Sequence, residues 1–293
     1  MTTLISALLV GSLVLLLSTA AIGVGAMLLG VAARAPWPAL GGGGGLAELP
    51  SGRGRLPLLP LVGVGAGFAL LLLSVLLRAI LVGHAPWSNL HEFSIAFAAA
   101  LLGAYLLLAR ANPIAGLAPL AALLAAGILG FALSLDDRVD PLVPALQQPL
   151  LLTVHVGSAA LAYAVAGVAF LAAAAEIAQR ASADGIRSLP SAATARAVGH
   201  RSVLVAFPIL TIAIALGSVW ANLAWRSYWS NDPKELAAAA TWLVFGAYLH
   251  VAGRHDRWER LAPWLIVLGF AGVLFTYIGA GLLFVGEHSY ATP

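Results

Sequence analysis

The sequence predicts an all-α protein, a polytopic bundle of about eight transmembrane helices with both termini on the extracytoplasmic side. Three observations carry this. First, apolar runs of roughly 20 residues recur along the whole chain, each long enough to cross a bilayer as a helix. Second, 61% of the 293 residues are hydrophobic and only 9% are charged, with a mean hydropathy of +0.97; a soluble domain carries about 25% charged residues. Third, the runs are continuous in Leu, Ala and Val rather than alternating. Lipid tolerates no unpaired backbone, so the choice is between helices and closed barrels, and the absence of alternation selects helices.

The spans fall at roughly 4–33, 57–82, 93–110, 114–134, 150–178, 201–219, 235–252 and 262–285. The first has no positively charged stretch before it and is too long for a signal-peptide core, so it reads as a retained span. Between Arg34 and Arg55 lie five consecutive glycines, Gly41 to Gly45, with Pro36 and Pro38, the composition of a flexible linker. Residues 1–56 are thus a first helix plus linker, and residues 57–293 a membrane domain. Basic residues set the orientation. With both termini outside, the inward loops hold Arg34, Arg53, Arg55, Arg110, Arg180, Arg187, Arg196, Arg201, Arg254, Arg257 and Arg260, and the outward loops only Arg138, Arg226 and Lys234. The net charge of +3 is therefore a topology signal and excludes a nucleic-acid-binding face. Charges at membrane depth are costly and often functional. Arg78, Glu176 and His250 are the main ones, with Glu176 expected to reach water at the inner surface. There is no cysteine, which excludes disulfides, thiolate metal sites and thiol chemistry of the chain's own; any thiol that it serves belongs to a partner.

The densest chemical signal lies between spans six and seven. Trp220, Trp225, Tyr228 and Trp229 fall within ten residues, just before Asp232-Pro233-Lys234-Glu235. That tetrapeptide is a helix start, with Asp as N-cap, Pro in the first helical position and Glu reaching back. Trp225 and Trp229, four apart, share a face if that piece is helical. One interfacial tryptophan is an ordinary member of the aromatic belt. Three beside a capped helix start, on the outer face, point instead to a shelf for a planar, amphipathic ligand.

This segment resembles the tryptophan-rich "WWD" signature of the haem-handling proteins of cytochrome c biogenesis, the CcsA/ResC family, with CcmC and CcmF as more distant kin. The similarity covers most of the chain after Pro57. Gly83-His84-Ala-Pro86-Trp-Ser88-Asn89-Leu90-His91-Glu92 resembles the family's loop before the third span. Thr241-Trp242 to Tyr248-Leu249-His250, Phe275-Thr276-Tyr277 and Gly286-Glu-His288-Ser289-Tyr290 follow in the family's order. The chain departs from the family pattern at Arg226, usually Gly, and at Asn231 and Ala237, each usually Trp. Arg226 is positioned to compensate by pairing with a haem propionate, since arginine suits carboxylates.

The resemblance gives the histidines roles. Haem iron takes axial ligands, commonly neutral imidazole. His155, near the outer start of span five, and His288, just past span eight, lie at the depth of the Trp-rich loop and match the family's two external haem ligands. His250 lies ~25 Å along span seven from Pro233. It shares a face with Trp242 and Gly246, and matches a transmembrane haem ligand whose partner belongs to a CcsB/ResB-type subunit. His84 and His91 are expected to be structural, with His91 a lesser alternative ligand. His200 and His255 read as solvated. The expected haem-contacting set is thus His155, His288, His250, Trp220, Trp225, Trp229, Asp232 and Arg226.

The resemblance implies transport and presentation of haem b across the bacterial cytoplasmic membrane. Covalent attachment to apocytochrome c would follow, at a Cys-x-x-Cys-His segment, within a haem lyase complex that includes the CcsB-type partner and is served by a thiol-reducing partner. No base or nucleophile of this chain is required. Two other classes remain at this point: a membrane b-type electron-transfer cytochrome, which needs paired histidines within the membrane, and a small-molecule permease.

Overall fold

The computed structural model describes residues 1–29, 58–139, 149–252 and 256–288. The linker expected between Arg34 and Arg55 lies outside the described residues, as do Arg254, His255, Ser289 and Tyr290. The described chain is all-helical: α1 (Thr2–Leu28), α2 (Leu58–Val82), α3 (Leu90–Ala111), α4 (Ala118–Leu133), α5 (Pro149–Ala181), α6 (Ala192–Trp225), α7 (Pro233–Val251), a short α8 (Asp256–Glu259), α9 (Ala262–Leu274) and α10 (Ala280–Leu283). A five-residue π turn, Phe275–Gly279, joins α9 to α10, so the eighth expected span is one element with a local change of winding.

Among the described residues, seven helices are long and apolar enough to cross a membrane, where the sequence predicts eight spans. The remaining one, α7, is a 19-residue helix that falls outside that set. Lys234 and Glu235 at one end and His250 at the other lower its hydropathy, and its middle is alanine rather than leucine. At 1.5 Å per residue its length is still about 28 Å, and it packs against α6 and α9 within the bundle.

Burial separates central from peripheral helices. In α3 and α5, 67% of the apolar window is buried, against 33% in α1 and α2 and 28% in α6. The two central helices touch each other. α1 packs on α2 and α4, α3 on α2 and α4, and α5 on α6 and α9. The extensive α5–α6 contact follows from composition: α5 carries a run of buried alanines between Ala160 and Ala175. Small side chains let helices approach closely where lipid supplies no hydrophobic drive. On the peripheral helices, Val10, Val14 and Leu17 of α1 and Leu76 and Ile80 of α2 stay exposed, as lipid-facing positions should.

One buried ion pair anchors the loop that enters α3. Arg78 Nε donates to Glu92 Oε1 at 2.9 Å, and its Nη2 donates to the carbonyls of Asp137 and Arg138. The other Glu92 oxygen accepts from the backbone N–H and hydroxyl of Ser88, while Asn89 caps α3 through the Glu92 N–H. Both charged side chains are almost wholly buried. The Ser88 and Asn89 bonds fix the entry into α3, and the Arg78 bonds tie it to residues 137 and 138.

Candidate haem-binding site

A half-open cavity of ≈ 200 Å³ lies where α3, α5, α6, α7 and the π turn converge. Each helix contributes one face. α5 supplies Leu152, His155, Val156, Ala159 and Tyr163, and α6 supplies Leu210, Ala213, Ile214 and Gly217, both at the three-and-four spacing of a helix stripe. Trp87 comes from the loop before α3 and Phe93 from its first turn, Lys234 and Glu235 from the start of α7, and Thr276 and Tyr277 from the π turn. The lining is largely apolar and aromatic, with its few polar groups at defined points, the usual character of a small-molecule site.

His155 and His288 both line this cavity, and Trp220 stands against both. The His155 ring lies 6.0 Å from the Trp220 ring and nearly parallel to it; the His288 ring lies 5.7 Å from the same indole. Trp225 packs edge-on against Trp220 at 4.9 Å and against His288 at 5.2 Å, so it backs the site rather than lining it.

Each imidazole is fixed through Nδ1. His155 Nδ1 donates to the Ala213 carbonyl at 2.9 Å, and His288 Nδ1 donates to Asp232 Oδ1 at 2.8 Å. A carbonyl or carboxylate oxygen can only accept, so Nδ1 carries the hydrogen in both rings and, in the neutral imidazole, the lone pair is on Nε2. Metal-binding histidines are held in this way by an outer partner on the second nitrogen. Gly217 makes room for the His155 ring, because a Cβ there would come within 2.6 Å of Cε1. Gly286 lets the chain before His288 pass Asp232, where a Cβ would collide with Oδ2.

Asp232 serves two ends at once. Its side chain caps α7 through the Lys234 N–H at 2.9 Å, and the Glu235 carboxylate returns to the Asp232 N–H to complete a capping box. Burial opposes ionisation of Asp232. The His288 hydrogen bond and charge and the backbone N–H groups of Lys234 and His288 outweigh it, and the carboxyl is held at about 2.

The other expected site residues are placed as follows. Trp229 lines the cavity, half-exposed, with Nε1 donating to Asn231 Oδ1 at 2.9 Å. It shares no helix face with Trp225, because α6 ends at Trp225 and Arg226 turns into the left-handed region at φ 64°. Asn231 takes φ 59°. Arg226 is exposed and does not line the cavity. His250 is exposed near the end of α7 and also lies apart from the cavity. Its face-mates meet α6: Trp242 stacks on Phe207 at 5.1 Å, and Gly246 lies in van der Waals range of that phenyl ring.

Two expectations change. His200, expected to be solvated, is half-buried, with Nδ1 3.2 Å from the Tyr248 hydroxyl. Glu176, expected to reach water, is buried, 2.6 Å from Arg180 Nη2 and 3.0 Å from Arg196 Nε. His91, expected to be structural, is buried with Nδ1 donating to the Ala132 carbonyl at 2.8 Å. Tyr163, Thr276, Tyr277 and Lys234 line the cavity without having been singled out. Tyr163, eight residues from His155, and Lys234, inside the helix-start motif, were open to inspection; the π turn left no trace in the sequence.

The fold and site together define a membrane-embedded helical protein with two pinned imidazoles at one indole-walled cavity. The profile of the family "Cytochrome C assembly protein" matches residues 87–288, a span that contains every residue lining the cavity. The chain is 35% identical over 241 residues to the cytochrome c biogenesis protein CcsA of Parasynechococcus marenigrum (strain WH8102), covering 71% of this chain and 78% of that protein. It is 35% identical over 248 residues to the CcsA of Chlamydomonas reinhardtii, covering 79% and 68%. Among solved structures it is similar to the cytochrome c haem lyase CcmF, with a TM-score of 0.62 and 20% identity over 93% of this chain and 46% of that one. That likeness is one of fold, and this chain spans just under half of the larger protein. The chain belongs to the cytochrome c assembly protein family.

Proposed function

We propose that this chain acts in cytochrome c biogenesis by holding haem b in the cavity between His155 and His288 and presenting it for covalent attachment to apocytochrome c. The observation that carries this is the pair of Nδ1-anchored imidazoles against one indole, in a family that assembles cytochromes c. The donor set fits haem: two nitrogen lone pairs for the iron and apolar, aromatic walls for the macrocycle. His155 and His288 are the axial ligands. Asp232 and the Ala213 carbonyl hold their tautomers; a carboxylate is the stronger acceptor, so His288 is the more electron-rich of the two. Trp220, Trp229 and Tyr163 wall the macrocycle, and Trp225 supports Trp220.

Haem itself supplies the vinyl groups, across which each cysteine S–H of the apocytochrome adds, sulfur to one carbon and hydrogen to the other. The chain's share of that reaction is position, and proximity supplies the rate effect. On the orientation given by the arginine distribution, the cavity faces the extracytoplasmic side of the bacterial cytoplasmic membrane. His250, exposed at the other end of α7, is the entry-side ligand, and a CcsB-type subunit provides the second ligand there.

Absorption spectroscopy of the detergent-purified protein tests the proposal. A Soret band that is lost in His155→Ala and in His288→Ala supports it. A colourless wild-type protein, or a band kept in both variants, refutes it.

A further inference from the structure

The cavity carries one cation, Lys234, which feels the charge of Asp232 but forms no direct ion pair among the described residues. Among the described residues that line it, Lys234 is the lone lysine or arginine, and no ion pair or side-chain hydrogen bond engages its ammonium. Its acidic neighbours are occupied. Asp232 is committed to His288, and Glu235 Oε2 accepts from the Ser230 N–H at 2.8 Å, the Ser230 hydroxyl and the Asp232 N–H. The other nearby cations are elsewhere: Arg226 is exposed off the cavity, and Arg78 is bound to Glu92. A second donor on the wall is also unpaired. Trp87 lines the cavity, and its indole Nε1 is buried with no hydrogen-bond partner. Buried donors without acceptors are uncommon and call for an explanation.

Building on the haem site proposed above, we infer that Lys234 and the Trp87 indole N–H receive the carboxylate edge of the porphyrin, so that Lys234, rather than Arg226, neutralises a propionate. An amphipathic macrocycle needs its apolar body against the indoles and its carboxylates against donors. Among the described residues lining the cavity, Lys234 is the cation and Trp87 Nε1 the buried donor without an acceptor. The ligand class is then a dicarboxylate metalloporphyrin, and the ammonium makes the site distinguish it from a neutral porphyrin of the same shape.

The test compares iron protoporphyrin IX with its dimethyl ester, which keeps the iron and ring but loses both carboxylates. The full chain in detergent is titrated by absorption as wild type, Lys234→Met, Lys234→Arg, Trp87→Phe and Arg226→Met. A charge-assisted hydrogen bond corresponds to about tenfold in affinity. Lys234→Met is expected to bind iron protoporphyrin IX about tenfold more weakly with little change for the ester. Lys234→Arg retains most of the affinity, Trp87→Phe loses a few-fold for the free acid only, and Arg226→Met is unchanged. An equal loss for both porphyrins in Lys234→Met, or a loss confined to Arg226→Met, overturns the carboxylate role while leaving the haem site standing. Binding of both porphyrins unaffected by His155→Ala and His288→Ala overturns the haem site and this inference with it.

Discussion

The two ends of the bundle treat their polar groups in opposite ways. At the cavity end, His155 and His288 are each anchored to the protein through Nδ1 and line a shared cavity. At the far end, some 30 Å along α5, polar groups are turned inward on each other: Glu176 bridges Arg180 and Arg196, Glu259 pairs with both arginines, and His200 meets Tyr248. Among the described residues at that end, His250 is the exposed histidine. On the proposed function, the cavity end supplies both iron ligands from this chain, whereas the far end would rely on His250 and a ligand from a second subunit.

The strongest way to break this comparison is to remove the ligands one at a time. His155→Ala or His288→Ala is expected to lower haem occupancy of the isolated chain by tenfold or more, while His250→Ala leaves the cavity-end spectrum intact. A His250→Ala variant that loses all haem in the isolated chain would show that the ends are not independent.

Next in size is the scaffold beneath the cavity. Glu92→Gln leaves Arg78 buried with a neutral partner, and breaking a buried pair from one side costs about 3–5 kcal/mol. The expected result is a large drop in thermal midpoint in detergent together with weakened haem retention, because the Ser88–Glu92 bonds hold Trp87 at the wall. The matching change at the far end, Glu176→Gln, should affect stability alone.

Asp232→Asn sharpens the comparison further, because it leaves the His288 side chain present but weakens the group that orients it. Loss of such an outer partner typically weakens metal affinity by about tenfold or more, and a reduced Soret absorbance per protein at limiting haem would register it. The same residue gives a pH signature. The Asp232 carboxyl is held at about 2, below its ordinary 3.8, so its contribution to stability is complete above 3.8 and disappears as pH falls toward 2. Wild type should therefore lose more stability than Asp232→Asn between pH 4 and pH 2, with parallel melting curves at pH 5 and above.

Much of this was legible in the residues, and the gaps have identifiable causes. Apolar runs and the Asp232–Glu235 cap set the helices and the start of α7, since both are local properties of the chain. The Trp-rich loop could be recognised as a site, but its geometry could not. The left-handed turn at Arg226 ends α6 one residue after Trp225, which separates Trp225 from Trp229. That His155 and His288, 133 residues apart, share one indole is a tertiary fact that hydropathy does not encode. Lys234 was passed over for Arg226 because guanidinium chemistry favoured the latter, and only the fold shows which cation reaches the wall. Glu176 and His200 look solvated by their place in the chain, but Glu176 is buried and His200 half-buried because partners on neighbouring helices engage them.

The smallest expected effect concerns that same Arg226. A non-glycine residue at φ 64° bears a steric cost of about 1–2 kcal/mol that glycine avoids. Glycine also loses more chain entropy on folding, by about 0.4–1 kcal/mol. The difference leaves Arg226→Gly more stable by roughly 0.5 kcal/mol, a shift of a degree or so in thermal midpoint. The exposed guanidinium touches nothing in the cavity, so haem affinity should not move. A measurable fall in haem binding on this substitution would place the guanidinium at the porphyrin edge after all. It would then be the cavity end, and not only the far end, that draws on groups beyond its own wall.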